Sequence, residues 1–173
     1  MEIRKIKLGK TLNVDVTYID KDGNKVTFKG QNKCHIDLYN ALKELVPYLA
    51  LYTEQKEANR IDWDDLYGEA NAILLHNLAV TGISVSGDED HKLVVLTGER
   101  RLKTKQNVSF NSAIIEISAD SANSNEYITS FHSAVNKLVR EAKLYVQQRK
   151  WDVDDYIAES HDFEESYYDR ERD

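Results

Sequence analysis

The sequence has one proline, one cysteine and seven glycines among 173 residues, and each shortage excludes something. So little proline and glycine leaves no composition for a flexible linker, which predicts one domain, or two lobes sharing a core. A lone Cys34 excludes an internal disulfide framework and a paired-cysteine metal knuckle. No apolar run reaches the ~18 residues of a membrane helix, and the opening Met-Glu-Ile-Arg-Lys-Ile has no signal-peptide character. A cytoplasmic protein without membrane contact is the expectation.

Catalytic signatures are missing too. Neither phosphate-cradling glycine loop occurs, and there is no GxSxG elbow. The five histidines, His35, His76, His91, His132 and His161, never stand three or four residues apart, so no two can ligate a metal from one helical face. Cys34 and His35 are adjacent, and neighbours in a strand point opposite ways. The acidic groups Asp62, Asp64, Asp65 and Asp88, Glu89, Asp90 lack the spacing of a calcium loop. They read as acids before a helix and as a solvated turn. No catalytic residue, cofactor or metal is expected.

Charge is present but unevenly spread. The chain carries a net charge of −7. Residues 151–173 hold ten acids against Arg170 and Arg172, so the preceding 150 residues are near neutral at +1. This acidic stretch contains Trp151, Tyr156, Phe163, Tyr167 and Tyr168, and purely solvating tails have few aromatics. It is expected to dock on the body, to occupy the protein's own nucleic-acid groove, or to serve as a partner-binding peptide. Basic residues gather at Arg4, Lys5, Lys7 and Lys10. A second group comprises Lys92, Arg100, Arg101, Lys103 and Lys105, and a third comprises Lys137, Arg140 and Lys143 on a helix. The second and third groups are candidate contacts for phosphates or for a protein partner.

Periodicity supplies the elements. Residues 3–8 read as a short strand. Leu12, Val14, Val16 and Tyr18 alternate with polar residues, and Asp22-Gly23 offers a tight turn into a return strand through Val26 and Phe28. Leu38, Leu42, Leu45, Leu49 and Tyr52 mark one face of a helix that Pro47 should kink or break. Strands are expected at 82–86, 92–98 and 107–117. A second long helix runs from about 126 to 150, striped by Ile128, Phe131, Val135, Leu138, Ala142 and Tyr145. Periodicity leaves 58–80 unassigned. The fold class is α+β, an antiparallel sheet with two long amphipathic helices.

The two helical stretches also match each other. Setting 38–55 against 131–148 gives six identities in eighteen pairs, among them Ala41/Ala134, Leu45/Leu138 and Tyr52/Tyr145. A duplicated strands-then-helix unit, with halves 1–57 and 80–150 inside one 1–150 domain, would pack two helices on one sheet about a pseudo-twofold axis.

The stretch KCHIDLYNALKELVPYLALYTEQKEA from Lys33, with VTGISVSG from Val80 and LVVLTGERRL from Leu93, resembles a family of uncharacterised small proteins encoded by tailed bacteriophages and prophages of gut bacteria. The resemblance spans about the first 150 residues. It implies a phage origin and action in the host cytoplasm, without supplying a catalytic motif. The expected function is non-enzymatic binding through protein surfaces, to a host factor or to further copies of the chain. The alternative is an accessory to DNA transactions, since paired units with helices on one side of a sheet are similar to sliding clamps and single-strand-binding proteins in layout.

Overall fold

The computed structural model describes residues 1–118 and 126–152. The first three strands are β1 (Glu2–Leu8), β2 (Val14–Ile19) and β3 (Lys25–Lys29). Helices α1 (Ile36–Lys43) and α2 (Val46–Tyr52) come next, then a 3-10 turn at Ala58–Arg60 and the short α3 (Glu69–Leu74). The second set of strands is β4 (Leu78–Gly87), β5 (His91–Arg101), β6 (Asn107–Asn111) and β7 (Ile115–Ser118), and α4 (Ile128–Gln147) closes the order. All strands join one antiparallel sheet, ordered β3-β2-β1-β4-β5-β6, with β7 also on β5. This is the α+β architecture expected.

The β2–β3 hairpin forms where the alternation and Asp22-Gly23 place it. Gly23 takes φ +82, and the Asp20 carboxylate accepts the backbone N–H of Asp22 (2.9 Å) and of Asn24 (2.8 Å). That is the usual chemistry of an acidic turn residue. Leu12 is buried but precedes the strand, in a left-handed turn at φ 63.

The expected first long helix is two helices. The chain leaves the helical ladder after Lys43, and Pro47 stands in the first turn of α2. Proline lacks the N–H a helix interior needs but is well suited to a first turn, where that group has no intrahelical acceptor. The apolar stripe survives the break, because Leu42, Leu45 and Leu49 all stay buried. The molecule therefore has one long helix among its described residues, α4, of 20 residues. The expected strand at 107–117 is likewise two strands. Between them Ser112 bends the chain, its hydroxyl accepting the Leu96 N–H (2.9 Å) while its own N–H donates to the Leu96 carbonyl (2.8 Å).

The unassigned segment before β4 is organised by one buried side chain. The Asn71 amide accepts from the Asp62 N–H (2.9 Å) and donates to the carbonyls of Asp62 (2.8 Å) and Leu66 (3.0 Å). Beneath that loop Ile61, Leu75 and Leu78 pack with Ala50 as a small second cluster.

The main core lies between the helices and one face of the sheet. Ile6, Val14, Val16, Ile83, Val94 and Leu96 from the strands meet Leu38, Leu45, Phe131, Val135, Leu138 and Tyr145 from the helices. Tyr145 also reaches the top of β2. Its hydroxyl donates to the Asn32 carbonyl (2.6 Å) and accepts the Val14 N–H (3.3 Å). A Cβ at Gly30 would meet that hydroxyl and the Val14 carbonyl, so the close approach requires glycine.

The β1–β4 pair stands at the centre of the sheet. Lys5↔Ser84, Ile6↔Ile83 and Lys7↔Gly82 pair antiparallel at the sheet centre, with a meander of strands on each side and a helical segment after each. Lys137 Nζ lies 2.7 Å from Glu44 Oε1, and these positions correspond under the same offset that aligns the helices.

Candidate functional site

Period two decides where the strand charges go. On β5, Val94, Leu96 and Gly98 face the helices, and so do Lys92 and Arg100, which share their parity. Lys92 Nζ donates to Asn136 Oδ1 of α4 (3.0 Å) and approaches His132 Nε2 at 3.3 Å. Desolvation, aided by Lys92, holds the His132 pKa below its ordinary value. Arg100 is clasped by Glu57. Its Nη2 lies 2.6 Å from Glu57 Oε1, and Nη1 lies 3.1 Å from Oε2 and 3.2 Å from Gln55 Oε1. The two side chains are 20% and 6% exposed. Burial pushes the Glu57 carboxyl up, but the Arg100 hydrogen bonds outweigh it and leave the group below the usual carboxylate range.

The basic residues singled out from the sequence thus do not form one groove. Lys92 and Arg100 are committed on the helical side. Arg101 lies half-buried on the opposite face, and Lys103 and Lys105 project from the turn between β5 and β6. On α4, Lys137 is paired with Glu44, Arg140 is exposed and Lys143 is half-buried. Trp151 is half-buried against the core and bridges to Cys34, while Asp152 donates its N–H to the Lys33 carbonyl at 2.9 Å. Tyr156, Phe163, Tyr167 and Tyr168 lie outside the described residues. Cys34 is fully buried, and desolvation pushes its thiol up to about 12. His35 instead caps α1, accepting the Asp37 N–H on Nδ1 (3.1 Å).

A depression of about 320 Å³ lies between the helices, beside Glu44, Tyr48, Leu66, Tyr67, Ser130 and Lys137. Four of its polar groups pair with one another. The Tyr48 hydroxyl donates to Ser130 Oγ (2.9 Å) and Lys137 pairs with Glu44. No group of three or more metal-ligating side chains occurs among the described residues.

The other face of the sheet is uncovered among the described residues. One row across it reads Lys29, Asp15, Lys7, Gly82, Thr97, Asn111. The next reads Thr27, Thr17, Lys5, Ser84, Val95. Lys5, Lys7, Lys25 and Lys29 are all at the surface of this face. Hydroxyl and amide groups pair laterally, Thr17 with Thr27 at 3.2 Å and Thr97 with Asn111 at 2.9 Å. The sequence pattern finds Lys5 and Lys7 but passes over Lys25 and Lys29. The alternation within β3, where Val26 and Phe28 face the core, is the signal that locates them.

No protein-family model, curated protein or solved structure matches the chain. No helix among the described residues is long and apolar enough to cross a membrane.

Proposed function

We propose that this is a non-enzymatic binding protein whose working surface is the open face of the sheet, and that its partner is a protein surface bearing carboxylates. One observation carries the reading. Among the described residues the helices pack on a single face, and the other face presents four lysines on β1 and β3 beside a row of hydroxyl and amide side chains. Exposed lysines at a polar rim give electrostatic selection and fast association. The resemblance to phage proteins supports a host factor in the cytoplasm of an infected bacterium as the partner.

The same lysines favour nucleic acid as the second reading, because phosphates are also anions. One experiment separates the two. Immobilised protein and a Lys5→Glu/Lys7→Glu/Lys29→Glu variant of matched melting temperature are compared on nuclease-treated host lysate, with labelled single-stranded and duplex DNA titrated in parallel. A protein retained by the wild type and lost by the variant is the expected result. DNA binding that weakens steeply with salt, with no protein retained, moves the assignment to the second reading. Equal retention by both forms removes the open face from the account.

A further inference from the structure

The two outer strands of the sheet are built alike and differ in charge. β3 reads Lys-Val-Thr-Phe-Lys and β6 reads Asn-Val-Ser-Phe-Asn. In both, valine and phenylalanine lie on the helical side and the other three residues on the open face. Each strand has the same polar–apolar pattern in either direction, with lysine at both ends of β3 and asparagine at both ends of β6.

The outward backbone groups of β6 follow from its pairing with β5. The Ser112 N–H donates to the Leu96 carbonyl (2.8 Å) and the Leu102 N–H to the Gln106 carbonyl (2.8 Å). Hydrogen-bonded positions alternate along an antiparallel pair. Val108 and Phe110 therefore turn their N–H and C=O groups toward β5, and Asn107, Ser109 and Asn111 turn theirs outward. No described residue takes up these outward groups. Five large hydrophobic side chains are exposed among the described residues, and three of them, Leu102, Val108 and Ile114, lie on or beside this strand. A neutral strand with open backbone groups is a template for another strand.

We propose that β6 pairs antiparallel with β6 of a second copy of the chain, about a twofold axis at Ser109. The symmetry of the strand selects this occupant. With Ser109 opposite Ser109, Asn107 of each copy meets Asn111 of the other, and the outward N–H groups, three from each copy, all find carbonyls. On the helical side each Val108 lies beside the other copy's Phe110. Across the pair no like charges meet. The same pairing through β3 would set Lys25 opposite Lys29 at both ends, and like charges directly opposed destabilise a strand pair. A contact between β3 of one copy and β6 of the next would run on without closing, whereas a twofold contact closes at two. The bend at Ser112 ends the pairing after the five residues of β6. The contact is therefore small, below the ~1,200 Å² that bounds weak complexes, and a dimer in exchange with monomer is expected. The axis stands perpendicular to the sheet, so both open faces look the same way. The pairing does not rest on the reading of that face as the working surface. If that reading holds, the dimer offers two lysine fields at once.

Sedimentation of the full chain over a concentration series tests the pairing. The mass is expected to rise from one chain to two by about 0.5 mM and no further. Asn107→Lys with Asn111→Lys gives β6 the lysine ends of β3, and at equal melting temperature it should weaken the dimer roughly tenfold. Ser109→Cys should cross-link between copies on mild oxidation, because the Cα atoms of such a pair stand about 5.5 Å apart, within disulfide reach. Thr27→Cys, at the centre of β3, should not cross-link, and Cys34 is buried and takes no part. The Lys5→Glu/Lys7→Glu/Lys29→Glu variant should dimerise as the wild type does, which separates this pairing from the reading of the open face. A chain that stays monomeric at that concentration overturns the proposal. So does a dimer that survives the asparagine-to-lysine exchange or is lost in the lysine-to-glutamate variant. Cross-linking at Thr27→Cys in place of Ser109→Cys, or a mass that keeps growing past two chains, overturns it as well.

Discussion

The strands before α1 and the strands after α3 build the two sides of one sheet, and they treat its exposed surfaces differently. On the β1–β3 side the open face is lysine-rich, and the edge strand β3 carries Lys25 and Lys29. On the β4–β7 side the open face mixes hydroxyl and amide groups with Glu99, Arg101 and Glu116, and the edge strand β6 is Asn-Val-Ser-Phe-Asn, without a charge. A lysine edge resists strand pairing with other chains, and a neutral edge resists it only by being short and by bending, as the chain does at Ser112 just after β6. The helical side shows the converse difference. There the later strands commit cations, Lys92 and Arg100, to fixed partners, while the early strands bury apolar residues against the helices. Among the described residues, one topology thus leaves its cations exposed on one side and commits them to fixed partners on the other.

The largest expected effect breaks that commitment. Arg100 and Glu57 tie β5 to the segment that leaves α2. Glu57→Ala removes the carboxylate from a mostly buried guanidinium and leaves it the Gln55 side-chain oxygen. Removing one partner of such a pair costs about 3–5 kcal/mol, readable by urea unfolding at pH 7. Lys7→Ala on the other side should change stability by no more than ~0.5 kcal/mol. The pair also sets a pH dependence. Glu57 titrates lower folded than unfolded, so its contribution is complete above its ordinary pKa of 4.5 and is lost as pH falls through the folded value. Stability of the wild type should fall on acidification below about pH 4.5, and Glu57→Gln should flatten that fall. An unchanged slope would remove Glu57 from the acid response.

The second effect asks whether the helical segments of the two halves are equivalent. Leu45 and Leu138 are both fully buried and correspond under the repeat offset. Leu→Ala at either should cost about 2–5 kcal/mol. Values within ~1 kcal/mol of each other fit two equivalent sites, since the cost depends on how far the surroundings collapse. A near-neutral Leu45→Ala beside an unfolding Leu138→Ala would show that the broken helix α1–α2 is packed differently from α4.

These two tests also mark where the sequence could be read and where it could not. The β2–β3 hairpin and α4 are legible because local alternation and a 3.6-residue stripe decide them. The break at Glu44–Leu45 is masked because the apolar stripe runs straight through it. Only the preference of Pro47 for a first helical turn marks it. The 58–77 segment has no period because it is held by the three-way amide of Asn71 and not by a repeating face. On the surface, counting cations in sequence groups Lys92, Arg100 and Arg101 together, and strand parity then sends the first two to the helices and the third to the open face. Glu57 lies 43 residues from Arg100, so no local pattern announces the pair. Lys25 and Lys29 are within reach of the same parity argument.

The smallest expected effect sharpens the comparison most, because it sits where the two halves meet. Glu44 on the α1–α2 turn and Lys137 on α4, which align under the 93-residue offset, are joined by a 2.7 Å ion pair, with side chains 22% and 43% exposed. Such a pair is worth about 0.5 kcal/mol, since solvent screens it and both side chains lose freedom. Glu44→Lys or Lys137→Glu alone places like charges together and should cost about 1 kcal/mol. The double exchange, Glu44→Lys with Lys137→Glu, recreates the pair with its ends reversed. If the two positions are related by an axis, their surroundings are alike and the exchanged protein should recover to within ~0.3 kcal/mol of wild type in a double-mutant cycle. An exchanged protein as unstable as either single variant would mean that each site favours one sign of charge. The correspondence between the halves would then be one of backbone layout and not of environment.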